Sequence, residues 1–148
     1  MKTIKYIIIL ALLLASGTAE VCAKQVKTKH MYMFGFSASF KDSTIYITDI
    51  QDVEGAWYDT KSKFLMGRDN YSYQLKEHMT DKMSQPNRVC MVFFAIDKKK
   101  AEKQYMKLKK KYVDKAPGMY AVRYLTISDF KFEPVDMSPQ EEETSSEQ

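Results

Sequence analysis

Cysteine is nearly absent from this chain. It has two, Cys22 and Cys90, too few for the disulfide framework that small secreted domains rely on. Histidine is as scarce. His30 and His78 stand alone and far apart, so the ligand spacing of a zinc site is missing. The five glycines are scattered, and no Walker loop or dinucleotide fingerprint can be built from them. Neither G-x-S-x-G nor H-E-x-x-H occurs. Ser37 and Ser39 have no histidine near them in sequence, which argues against a nucleophilic triad without excluding one assembled in space. No cofactor and no metal are expected. Long hydrophobic runs are also lacking: Tyr6 to Ala15 is ten residues, and a membrane span needs about 20.

That short run belongs to an export signal. Lys2 and Lys5 precede it, small and polar residues follow, and Val21-Cys22-Ala23 closes it. Small residues at −3 and −1 suit a cut before Lys24 (Val21, Ala23) or before Glu20 (Gly17, Ala19). The first leaves a polar, basic start and is preferred. A lipoprotein signal would use Cys22, but Glu20 and Val21 fit it badly. The expectation is an exported protein of a Gram-negative envelope, periplasmic or secreted, with residues 1–23 removed. An outer-membrane lipoprotein is the weaker alternative. Cys90 is then the sole cysteine and reads as a small buried hydrophobe within Val89–Ile96. A mature chain of about 125 residues buries a sufficient core without disulfides.

The hydrophobic pattern divides the mature chain into a polar leader (24–30), one domain (31–135) and an acidic tail (136–148). The tail has no aromatic residue and carries the cluster Glu141–Glu143, a composition that favours disorder. Met31 to Phe40 alternates, with Tyr32, Phe34, Phe36, Ala38 and Phe40 on one face, as a strand requires. Thr44 to Ile50 is β-branched and forms the second arm of a hairpin. Residues 51–67 read as a loop with a short strand near Lys63–Met66. Tyr71, Leu75, Met79 and Met83 place a helix over 68–83, with Asp69 as its expected N-cap. The uncharged run 89–96 reads as a strand buried on both faces and central in its sheet. Asp97 caps a second helix with the apolar stripe Ala101, Tyr105, Leu108 and Tyr112, and Ile96 with Ala101 forms its expected hydrophobic staple. Met119–Ile127 is a further strand, and Phe130 and Phe132 alternate in a short last segment. The order β-β-α-β-α-β predicts an α+β fold: a two-layer sandwich with a mixed sheet of four to five strands and both helices on one face.

The second helix carries the conspicuous surface chemistry. Nine lysines lie between Lys98 and Lys115, against only Glu102 and Asp114 after the cap. Such a run is commonly a solvated face. It also suits an anionic partner, which relieves the mutual repulsion. Lys103, Lys107, Lys110 and Lys111 are the anion-binding candidates. Export argues against nucleic acid and for a protein partner or an anionic envelope component, such as anionic lipid or phosphorylated glycan, with peripheral membrane contact. Trp57, Tyr58 and Tyr73, near Tyr71, are candidates for a protein interface or a glycan groove, although loop aromatics more often pack into a core. Asp49, Asp52, Glu54 and Asp59 are the only carboxylates whose grouping suggests hydrolysis, and their spacing does not match a calcium loop. The reading is a non-enzymatic binding or interaction module. A carboxylate-dependent hydrolase is the least favoured alternative.

Overall fold

A computed structural model describes residues 24–139. The expected export signal, residues 1–23, and residues 140–148, with Glu141–Glu143, lie outside them. The elements run β1 (Gln25–Lys27), β2 (Tyr32–Ala38), β3 (Thr44–Thr48), β4 (Gln51–Asp52), β5 (Trp57–Asp59), β6 (Phe64–Leu65), α1 (Arg68–Glu77), β7 (Val89–Ala95), α2 (Lys98–Lys109) and β8 (Ala121–Leu125). Both helices end in a wider π turn, over His78–Lys82 and Lys110–Asp114.

The main sheet has the order β7-β2-β3-β8, with β3 parallel to β8 and its other pairs antiparallel. β4 continues the line of β3 alongside β2. Phe36 faces Ile47 while Met33 faces Gln51, so three steps on β2 match four on its partner. The extra residue is a bulge, which bends the strand at Asp49 and Ile50. A second small sheet pairs β1 with β5 and β5 with β6. The polar leader therefore supplies a strand, and the 51–67 segment supplies two more.

The α+β class, with a mixed sheet and two helices, is as the sequence predicts. The arrangement of both helices on one face is not. Phe34 and Phe36 project from β2 onto Tyr105 and Tyr112, which follow along α2. On the opposite face Met31, Met33 and Val92 pack with Tyr71, Leu75 and Met79 of α1 and its last turn. The strand order explains this. The crossover from β3 to β7 passes β2 in one direction, and that from β7 to β8 returns past β2 and β3 in the other. Two right-handed crossovers in opposite directions put their helices on opposite faces.

Three further expectations change. The uncharged run 89–96 is an edge strand, and β2 is its only strand partner among the described residues. Val89 and Met91 are exposed. The strand buried on both faces is β2. Its small residues look solvent-facing in sequence, but Gly35 is where α1 approaches: a Cβ there would lie 2.6 Å from Leu75 Cδ2. Asp69 does not cap α1. The cap is Gly67, with φ 67° and no side-chain bond, a conformation that favours glycine; Asp69 lies in the first turn, where its charge suits the helix dipole. Asp97 does cap α2, accepting from Lys100 N–H at 2.9 Å. Ile96 is exposed, so the expected staple is open.

Phe130 and Phe132 are buried without belonging to a strand. Side chains replace the missing ladder. The buried Gln51 amide donates to Phe130 C=O at 2.9 Å and accepts from Phe132 N–H at 2.8 Å. Gln74 does the same to both backbone groups of Glu133, and Tyr71 Oη accepts from Val135 N–H. Arg88 closes the other end of the sheet. Its buried guanidinium donates to Ser37 Oγ, Asp42, Gln85 and the Thr44 carbonyl and lies over the Tyr46 ring.

Candidate functional site

The site is built on α2. Ala101 is fully buried, and Tyr105, Leu108 and Tyr112 pack against Phe34, Phe36, Ile45 and Ile47. That stripe fixes the roll of the helix and turns the lysines outward. Lys107 and Lys109 in its last turn and Lys110 and Lys111 beyond it complement the carbonyl end of the helix dipole. Lys98, Lys99 and Lys100 oppose the dipole at the other end, where Asp97 is the only compensating acid. Among the described residues no lysine from Lys98 to Lys115 forms an ion pair. Tyrosine rings hold two of them: Lys109 Nζ lies 5.1 Å from the Tyr124 centroid and Lys111 Nζ 5.1 Å from that of Tyr112, a favourable charge–quadrupole contact.

Two clefts flank the helix. One, of about 500 Å³, has Phe93 and Leu108 as its floor, with Lys107, Lys110, Lys111 and Lys115 around it. The other, of about 690 Å³, lies toward β8, between Tyr124 and Met106, with Lys103, Lys107, Lys109 and Lys110 at its margin. The four lysines singled out from sequence thus line these two clefts: Lys107 and Lys110 border both, Lys111 the first, Lys103 the second. Sequence reasoning missed Phe93, Gln104 and the exposed apolar residues Met106 (60% exposed), Val113 and Tyr124. For Met106 and Val113 the available signal was an apolar residue off the Ala101–Tyr112 stripe; Phe93, Gln104 and Tyr124 carried none. Gln104 Oε1 is buried and has no hydrogen-bond partner among the described residues, an unusual state for a polar atom.

The aromatic candidates do not form one face. Tyr58 and Tyr71 are core residues, and burial raises both phenol pKa values. Trp57 is half-buried on β5 beneath Lys27. Tyr73 is exposed on α1. Two of the four carboxylates have structural partners: Asp52 meets His30 Nδ1 at 2.8 Å, and Asp59 accepts from the N–H groups of Ser62 and Lys61. Those bonds, the Ser62 N–H foremost, lower the Asp59 pKa. Asp49 lies near Tyr105, where its charge helps burial raise that phenol, and Glu54 is exposed. Among the described residues no three His, Cys, Asp or Glu side chains group as a metal site. Burial raises the Cys90 thiol pKa, an effect the Ser37 hydroxyl, Arg88 and Lys76 only partly offset, so the thiol stays protonated at neutral pH.

No protein-family model matches the chain, and neither does any curated protein or solved structure.

Proposed function

We propose that the protein is an exported, non-enzymatic module of a bacterial cell envelope that binds an anionic protein partner through the surface of α2. The observation that carries this reading is the set of α2 lysines, unpaired among the described residues and gathered around an apolar-floored cleft. Clustered cations raise the local potential and attract an anion. The apolar floor adds contact area that a merely solvated helix face lacks. Within this reading Lys107, Lys110 and Lys111 supply the charge, while Phe93 and Leu108 supply the contact.

A second reading has its own support. Met106, Val113 and Tyr124 stand exposed among Lys103, Lys109 and Lys110, and apolar side chains set among lysines suit an anionic lipid headgroup layer. Among the described residues no helix is long and apolar enough to cross a membrane, so such contact would be peripheral.

Retention of the mature chain on polyglutamate beads and on phosphatidylglycerol vesicles tests both. Lys107→Glu/Lys110→Glu/Lys111→Glu should abolish retention on the beads, and salt should weaken the wild-type contact. Retention on vesicles alone favours the lipid reading. Wild-type retention on neither, or unchanged retention of the triple variant, counts against the anionic surface itself.

A further inference from the structure

The open edge of β7 runs along the floor of this basic surface. Seven residues, Val89 to Ala95, pair on one side with β2, and no strand pairs with the other among the described residues. An unpaired edge presents a row of backbone donors and acceptors. Natural edges are commonly blunted by proline, a bulge or an inward charge; Val89-Cys-Met-Val-Phe-Phe-Ala95 has no proline or charge, and its register with β2 is unbroken over all seven pairs.

Two clefts follow this edge and share Phe93 and Gln104. The first is bordered by Lys107, Lys111 and Lys115. The second, of about 520 Å³, extends to Ile96 and is bordered by Lys63, Arg68 and Lys100. Its one acid, Asp97, already caps α2. Arg68 lies over Phe64 and Phe94, which holds that end in place. The trough therefore has cations contributed by both sides of the sheet, an apolar floor and an open strand beside it. Gln104 borders both clefts where they meet.

We infer that this trough captures an extended acidic peptide segment of a partner protein, which adds to the sheet as a strand beside β7. The inference rests on the anionic-partner reading above and names the occupant. An extended chain supplies what each feature lacks: backbone groups for the edge and carboxylates for the cations on both sides. Strand addition takes its affinity from main-chain bonds and its selectivity from alternate side chains. Seven residues of strand span about 23 Å, so a segment of about seven to nine residues fits. A second copy of this chain, added through its own β7, would set these cations against their counterparts, so charge favours the acidic peptide over self-pairing.

The test uses the mature chain and a nine-residue peptide, Glu-Glu-Val-Val-Glu-Glu-Val-Val-Glu, whose paired glutamates place carboxylates on both faces of an added strand. Its control carries N-methyl groups at alternate residues, on the edge that would face β7, with the same side chains and charge. Calorimetry should show binding of the parent and at least a tenfold loss with the control, and amide resonances of Val89–Ala95 should shift with the parent alone. Lys107→Glu/Lys111→Glu, checked for folding by circular dichroism, should weaken the parent at least tenfold. Equal affinity for parent and control overturns strand addition and leaves a charge-only surface. Binding to phosphatidylglycerol vesicles but to neither peptide overturns the peptide occupant and leaves the lipid reading. A dimer in sedimentation that the peptide does not dissociate assigns the edge to a second copy and overturns the proposal. Loss of every interaction, or indifference of all to the lysine changes, removes the anionic-partner reading together with it.

Discussion

Replacing Arg88 by methionine tests how the sheet is closed at its β7–β3 end. The guanidinium is 4% exposed as a residue, and methionine keeps much of the stem volume while removing every donor. The Thr44 carbonyl loses the Arg88 donor, a cost of about 1–3 kcal/mol if the group stays buried. Ser37 Oγ loses its bond to Nε but keeps the Cys90 contact, so its share is about 1 kcal/mol. Asp42 is 42% exposed at its side chain and rehydrates, so the ion pair adds no more than about 1 kcal/mol. The contact with Tyr46 adds about 1 kcal/mol. Arg88→Met should therefore cost about 3–6 kcal/mol, and Asp42→Asn about 1 kcal/mol. Small domains hold only about 5–15 kcal/mol in total, so the first loss is plain in urea unfolding at constant m-value. A loss below about 1.5 kcal/mol for Arg88→Met, or equal losses for both variants, would refute the view that backbone and hydroxyl acceptors, rather than the ion pair, set the value of this arginine.

Gln51→Leu leaves the Phe130 carbonyl and Phe132 N–H unpaired in the core and should cost about 2–4 kcal/mol; Gln74→Leu, on an exposed clamp, should cost under about 1 kcal/mol, and urea midpoints compare them. Gly35→Ala forces a Cβ against Leu75 and should cost about 1–3 kcal/mol, with the Leu75→Ala double variant losing less than the sum of the two single changes. His78 has its pKa lowered below 6.5, by burial first and by Lys82, with Asp129 opposing. Its neutral form is therefore the one the fold prefers. Its contribution is fully present above the unfolded value and is lost as pH falls through 6.5 toward the lower folded value, so His78→Gln should flatten thermal stability between pH 7 and pH 5.5 relative to wild type.

Much of the fold was legible in local patterns. The alternation of Met31–Phe40, the stripes Tyr71–Met83 and Ala101–Tyr112 and the Asp97 cap each correspond to an element in place, because period and capping are properties of neighbouring residues. What local patterns lack is strand order. An uncharged run such as Val89–Ile96 looks central whether its second edge is paired or open. Gly35 and Ser37 look solvent-facing although α1 lies against that face. The opposite placement of the helices follows from the directions of the two crossovers, which depend on where β7 falls in the sheet. The Gln51 clamp was out of reach for the same reason: its partners are 79 and 81 residues away. Of the candidate surface, the lysines could be read from composition, whereas Phe93 and Gln104 acquire a role only when β7 and α2 are brought side by side.

The central claim, that the α2 surface holds an anionic partner, is tested most directly by titrating the folded chain from Lys24 onward with the glutamate–valine peptide at two salt concentrations, before and after reversal of Lys107 and Lys111. The account predicts saturable binding that weakens with salt and falls at least tenfold on reversal. An affinity indifferent to both salt and reversal would contradict it.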